Sequence, residues 1–572
     1  MSKTDLNSRL YVVFLFFILI FFILIARLIY VQLIKSAELK SYARQQHAIY
    51  TEISPLRGTI FDRNHKELAV NRNSYSIFAT KELLSPNSKL SALLDLDDKS
   101  LAAKLNQSKN FVWLKRKVSP EISTKIEQLH LEGVGQVREH KRFYPDGSLA
   151  SHLLGFANID NKGLEGIELY CDSYLAGVKG WRLSSRDAKR RELICWGYKS
   201  ILPADGYDLV LTVDRVIQSI AERHLRAAAR KYKASSATAI VMQPSTGEIL
   251  ALCNYPDYDL NNFTDYPAEV RRNLALTDIF EPGSSFKFVT AAAALEEGLV
   301  DPEDKFFCEQ GEYRIGRRIL HDYKPYGEIT FREIVVHSSN IGMAKVAQLL
   351  GKELLYSYIK SFGFGELTGI DLPGEVKGII RSPQFWSKAS IYSLPMGQEV
   401  AVTCIQLIRA ISCVANDGIL VKPQIVKSIQ RNRGEIIKSY NSQKVRRVMS
   451  VKTAQVLKQI LTGVVEEGTG KKAKVPGYLT AGKTGTAQKV NPAGGYYKRK
   501  YYSSFVGFVP ADRPQLSILV VMNEPYPRYF GGTVCAPVFR KIATETLRYL
   551  ESANETKEVT AGPEAQTLGQ LN

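Results

Sequence analysis

Between Leu10 and Ala26 the chain carries no charge and consists almost entirely of Leu, Ile, Phe and Val. After Arg27 the apolar run resumes from Leu28 to Ile34. Such a stretch reads as a helix across a bilayer, which takes about 20 apolar residues. A secretory signal core is shorter, about 7 to 15 residues, and ends in a small-residue cleavage site. The sequence Ile34-Lys35-Ser36-Ala37 does not resemble one. We therefore expect an uncleaved anchor over 10–34 behind a short tail, residues 1–9, with Arg27 reaching back to the interface near Tyr30. Charge does not decide the orientation, because Lys3 and Arg9 precede the span while Lys35, Lys40 and Arg44 follow it.

The remaining chain is long and apolar enough, at 45% hydrophobic over 572 residues, for two or three globular domains. Its 76 Lys and Arg against 57 Asp and Glu give a net charge of +19. These cations are scattered rather than stacked in one arm, which argues against a nucleic-acid partner. Cys171, Cys195, Cys253, Cys308, Cys404, Cys413 and Cys535 are odd in number, well separated and without a CxxC pair. No disulfide framework is legible, and Cys253, Cys404 and Cys413 sit in apolar company as buried thiols would. The eight histidines show no ligand spacing, so neither a metal site nor a cofactor is expected.

Residues 35–207 alternate short β-like runs with polar helices and carry three tightly punctuated clusters. SPLRGTIFDRN (54–64) offers Arg57, Asp62 and Arg63 as an ion network around a turn at Gly58. RFYPDGSLASHLLG (142–155) follows, and GLEGIELYCDSYLAG (163–177) places Glu165 and Glu168 three apart among glycines. None of the three holds a nucleophile with a partner. LVLTVD (209–214) and an amphipathic helix from about Arg215 to Lys233 open a second domain, 208–551. Strand pairs at its two ends, 237–253 and 503–522, enclose a long helical middle, which predicts an α+β fold with an antiparallel sheet and a helical lobe. The polar tail 552–572 is expected to be disordered.

Three stretches of the second domain carry chemistry. EPGSSFKFVT (281–290) sets Ser284 and Lys287 three apart at a helix start, with Ser284 or Ser285 free to cap. A serine hydroxyl needs an adjacent base, and a desolvated lysine one turn away can serve. Ser-x-x-Lys alone is a frequent coincidence in so long a chain. HSSN (337–340) adds the hydroxyl of Ser338, which can shuttle a proton, and the amide of Asn340, or else it merely caps a helix beginning near Ile341. AGKTGTAQK (481–489) reads as a strand with Lys483 and Gly485 on one face and Thr484 and Thr486 on the other. A glycine there suits a peptide substrate lying antiparallel along the edge. Lys483 supplies positive charge, the threonine hydroxyls can bind a carboxylate, and the amides of Ser284 and Thr486 can form an oxyanion hole. Gly477 to Thr484 also fits the GxxxxGK[ST] frame of a phosphate loop, although that loop must follow a strand and open a helix.

SxxK, SxN and KTG in this order resemble the penicillin-recognising acyl-serine transferases. The clusters at Arg57, Arg142 and Gly163, with GGYYKRKYYSSFVGFVP (494–510), extend the likeness from the anchor to about Leu550. The chain resembles the class B penicillin-binding proteins, specifically the division-type (FtsI-like) peptidoglycan D,D-transpeptidases. The resemblance implies a cytoplasmic tail, one membrane helix, an elongated non-catalytic pedestal and an extracytoplasmic transpeptidase domain at the septum. It also implies Ser284 as nucleophile toward D-Ala-D-Ala of peptidoglycan stem peptides and β-lactams, Lys287 as general base, Ser338 as relay and Asn340 as positioning amide. Lys483, Thr484 and Thr486 would bind the terminal carboxylate, and a membrane-embedded glycan polymerase and other division proteins would be partners. No appended wall-binding module is expected. An elongation-specific transpeptidase and a non-catalytic division scaffold are the alternatives. His65 and Glu399 stand where smaller residues are commoner, which places unusual local geometry at both positions.

Overall fold

The apolar run forms a helix, Lys3–Ile29, continued by a π turn at Tyr30–Ile34, in a computed structural model that describes residues 3–39, 42, 48–80, 87–107, 111–186, 192–193, 200–316, 318–431 and 434–560. From Asp5 to Ile34 it is long and apolar enough to cross a membrane, and none of its most apolar window is buried against the rest of the chain. Arg27 stacks its guanidinium 5.5 Å from the Tyr30 ring, the arrangement its position suggested. The described residues within 1–56 and 177–205 form one compact unit, and those within 57–176 and 206–572 another. The first unit contains a small sheet in which Ala48–Ile53 pairs antiparallel with Gly180–Arg186.

In the second unit, residues 57–176 and the transferase-like part share one sheet. The strand Ile60–Phe61 pairs antiparallel with Glu67–Thr80 and parallel with Asp208–Leu211, which in turn pairs with Val426–Arg431. Gly58 permits this closure: a Cβ there would lie 1.9 Å from the carbonyl oxygen of Tyr207. The ion network expected around it exists with different members. Glu168, wholly buried, accepts from Arg57 Nε and Arg142 Nε at 2.6 Å each, and Arg57 also reaches Asp172 at 2.7 Å. Asp62 and Arg63 are not part of it. Asp62 instead accepts the backbone N–H groups of Asn64, Lys66 and Arg215, while Arg63 faces Glu248 at 3.4 Å. Glu165 lies apart too, 3.9 Å from Arg271, and burial raises its pKa.

A five-stranded antiparallel sheet carries the chemistry. Its strands are β1 (Ser236–Met242), β2 (Ile249–Tyr255), β3 (Ala481–Val490), β4 (Tyr496–Val509) and β5 (Leu516–Asn523), in the order β2-β1-β5-β4-β3. Both faces are covered, so its strands read as nearly continuous apolar runs. Ile518, Val520 and Met522 face the helices Arg215–Lys231 and Ala536–Thr560, whereas Leu519 and Val521 face the helical lobe. The strand β3 is left at an edge, with one row of backbone groups unpaired.

The last helix runs to Thr560, so the tail expected to be disordered from 552 is helical through that residue, and 561–572 lie outside the described residues. The six described cysteines are buried free thiols, and Cys195 lies outside the described residues.

Candidate active site

Gly283 takes a left-handed conformation after Pro282, and a 3₁₀ turn over Gly283–Phe286 leads into the helix α1 (Lys287–Glu296). In a 3₁₀ turn residues three apart eclipse one another, which stacks Ser284 over Lys287 on one line. Neither serine caps this helix by its side chain; the Ser285 hydroxyl donates to the carbonyl of Pro282 at 2.7 Å. The apolar run Phe288–Ala294 is buried throughout, so α1 passes through the core and carries Lys287 with it. Ser284, at the start, keeps partial exposure.

Lys287 has no accessible surface. Its Nζ reaches four oxygens of one short segment: the Ser338 carbonyl at 2.6 Å, the Asn340 Oδ1 at 2.8 Å, the Ser339 carbonyl at 3.1 Å and the Ser338 Oγ at 3.2 Å. Burial lowers its pKa to about 7, with the Asp322 charge pulling the other way. Ser338 closes the helix α2 (Phe331–His337) in a left-handed conformation, φ 63°, and Ser339 caps the helix α3 (Asn340–Ser361) by accepting the Gly342 N–H at 2.9 Å. The capping reading of this motif holds for one residue of it. Ser339 caps, and Ser338 and Asn340 face the lysine.

Lys483, on β3, is also without accessible surface, and its Nζ donates to Ser338 Oγ at 2.9 Å. Burial, and then the charge of Lys287, hold its pKa well below the usual lysine range. One hydroxyl thus lies between two buried amines that repel each other's protons.

Gly485 serves a different purpose from the one expected. A Cβ there would lie 2.3 Å from Ser504 Oγ and 2.7 Å from the Pro282 carbonyl, so the backbone it admits is the protein's own turn before Ser284. A Cβ at Gly283 would lie 3.2 Å from the Thr486 carbonyl, which sets the turn carrying Ser284 directly against β3. Thr484 and Thr486 share the opposite face as expected. Thr484 Oγ1 meets Thr469 Oγ1 at 2.8 Å, and Thr486 Oγ1 accepts the Gly531 N–H at 3.0 Å, which leaves the Thr486 proton free to donate. The phosphate-loop frame fails structurally: Lys483 and Thr484 lie inside a strand, and no helix opens after them.

Family comparison agrees with this geometry. Residues 237–544 match the penicillin binding protein transpeptidase domain, and residues 52–211 match the penicillin-binding protein dimerisation domain. The chain belongs to the class B penicillin-binding proteins. Its catalytic domain is of the serine-type D,D-transpeptidase kind. This penicillin-binding protein is 37% identical over 559 residues to Stage V sporulation protein D of Bacillus subtilis, an alignment covering 96% of this chain and 86% of that protein. It is 32% identical over 550 residues to peptidoglycan D,D-transpeptidase FtsI of Escherichia coli, covering 94% of this chain and 88% of that protein. Among solved structures, penicillin binding protein 3 of Mycobacterium tuberculosis, complexed with aztreonam, aligns with a TM-score of 0.70 at 28% identity. That alignment covers 88% of this chain and 97% of the other.

Two features of this penicillin-binding protein had no sequence signal or only half of one. Asp322, in the turn after the strand Arg318–His321, contacts the SSN segment from the side opposite Lys287; an isolated aspartate 16 positions before Ser338 belongs to no motif. Glu399 was conspicuous for its size alone. It adopts φ 60°, accepts from Ser390 Oγ at 2.6 Å and from Ser393 Oγ, and donates its N–H to Glu281 at 2.8 Å.

Proposed function

We propose that this chain cross-links peptidoglycan stem peptides through an acyl-enzyme on Ser284. The observation that carries the proposal is the Ser338 hydroxyl within hydrogen-bond reach of both Lys287 and Lys483. A neutral Lys287 donates its two protons to surrounding carbonyl oxygens and takes the proton of Ser284 on its lone pair as the serine attacks the D-Ala-D-Ala carbonyl. The N–H groups of Ser284 and Thr486 receive the oxyanion. The proton passes from Lys287 through Ser338 to the departing D-Ala amine, with Lys483 holding the Ser338 oxygen in place. An amine of a neighbouring stem then attacks the ester, Lys287 takes its proton and returns it to the Ser284 oxygen as the acyl–oxygen bond breaks, and the cross-link is released. The terminal carboxylate lies against the Thr484 and Thr486 face, and the donor peptide extends along the open edge of β3. β-Lactams acylate the same serine.

We further read residues 1–9 as a cytoplasmic tail, 10–34 as a single membrane pass, 35–207 as a pedestal and 208–551 as an extracytoplasmic transpeptidase domain. Its setting is septal synthesis beside a membrane-embedded glycan polymerase and other division proteins. The test is reconstitution with a polymerase and lipid-linked precursor. Release of D-Ala with new cross-linked products, both lost in Ser284→Ala, supports the reading; glycan without cross-links from folded protein refutes it. A fluorescent fusion gathering at division sites supports the septal setting, and one spread along the side wall supports the elongation alternative.

A further inference from the structure

Asp322 meets the SSN segment on the side away from the lysines. Its Oδ2 accepts from Ser339 Oγ at 2.6 Å, and its Oδ1 accepts the backbone N–H of Ile341 at 3.1 Å and that of Asn340. The adjacent His321 carbonyl accepts from Asn340 Nδ2 at 2.9 Å. These contacts fall on Ser339 and Asn340, two of the three residues whose oxygens surround Lys287, and on Ile341 directly after them. The carboxylate also sits at the positive N-terminal end of α3, where an anion is favoured.

Something must hold that segment open. Ser338 is in a left-handed conformation that is strained for a non-glycine residue, and this twist accompanies the turning of the Ser338 and Ser339 carbonyls onto the lysine. With the strand Arg318–His321 and its partner Glu312–Ile315 behind it, Asp322 offers two acceptor oxygens to three donors. We propose that Asp322 is a positioning residue of the acylation reaction, fixing the SSN segment so that Ser338 and Asn340 face Lys287 and placing a negative charge behind that segment. This rests on the acyl-serine reading above.

The groups facing Lys287 are Lys483 from β3, Asp322 from the turn after Arg318–His321, and the hydroxyl and amide of the SSN segment; Cys308 packs behind Ser339 at 3.6 Å. Burial holds the Cys308 thiol above its ordinary pKa, so the charge removed near Lys287 by substitution at 322 is that of the carboxylate. Losing that negative charge favours the neutral amine, which moves the rising limb of the pH–rate profile to lower pH.

The experiment measures single-turnover acylation by a fluorescent penicillin across pH 5.5–9 for the native full-length chain in detergent, Asp322→Asn and Ser339→Ala. Because each folded active site is acylated once, the rate constant reads only folded molecules. Asp322→Asn keeps the shape and an acceptor oxygen but removes the charge. We expect acylation slowed about 10- to 100-fold with the limb shifted downward in pH, and Ser339→Ala to lie between this and the native rate. A native rate in Asp322→Asn, or a slowed rate whose limb does not move, overturns the inference while leaving Ser284 acylation intact. No adduct on native Ser284 overturns the acyl-serine reading and the inference together.

Discussion

The buried amine of Lys483 donates to the hydroxyl of Ser338 at 2.9 Å, joining two motifs 145 residues apart in the chain. This bond makes the three motifs one site, since the same hydroxyl lies 3.2 Å from Lys287. Removing it in Ser338→Ala leaves the two amines with no shared acceptor. Acylation by a labelled penicillin is expected to fall about 10²- to 10⁴-fold, the range for loss of a positioned proton-transfer group. Stopped-flow measurement of the acylation rate, with a melting curve unchanged from native, checks it.

The pH dependence follows from the Lys287 amine, which burial brings to about 7. The base acts when neutral, so the acylation rate constant rises with pH through about 7 and reaches a plateau above 8. Below pH 6 the lysine is charged and the rate falls about tenfold per unit. A profile flat from pH 5 to 9 shows that Lys287 is not the base.

Gly485→Ala is expected to slow acylation about 100-fold. Its methyl would meet Ser504 Oγ at 2.3 Å and the Pro282 carbonyl at 2.7 Å, and the backbone carbonyl has nowhere to move without shifting Ser284. A displacement of about 1 Å costs about 100-fold in rate. Penicillin acylation of the purified variant, compared with native at equal folded fraction, decides the point.

Glu168 is the charge that keeps two buried guanidiniums, Arg57 and Arg142, in the fold. Glu168→Ala leaves Arg142 uncompensated and Arg57 with Asp172 alone, and is expected to cost about 3–5 kcal/mol in denaturant unfolding. An Arg57→Ala, Glu168→Ala double variant is expected to be less destabilised than the sum of the singles, because one uncompensated charge is removed with its partner.

How far the sequence speaks is clearest at individual residues. The SxxK spacing, the strand at 481–489 and the apolar N-terminal helix were legible because each rests on local rules: helical stacking, alternation, and uninterrupted apolar length. His65 and Glu399 were conspicuous as large residues at positions that favour small ones, and both adopt left-handed backbone, φ 58° and 60°. The partner of Arg57 was not legible, because Glu168 lies 111 residues away and Asp62, the nearer acid, is taken up by backbone N–H groups. The occupant of the space at Gly485 was misjudged for the same reason: a strand pattern shows that room is needed, and only the fold shows that Pro282 fills it. Asp322 carries no local pattern at all, since its three partners lie 17 to 19 residues on.

Intact-mass spectrometry of the full-length chain in detergent after reaction with a labelled penicillin is the most direct test of acyl-serine chemistry at Ser284. The structure leads us to expect one persistent adduct, mapped by peptide digestion to Ser284, absent in Ser284→Ala and slow to form in Lys287→Ala. An adduct on another residue, or none on folded protein, would contradict it.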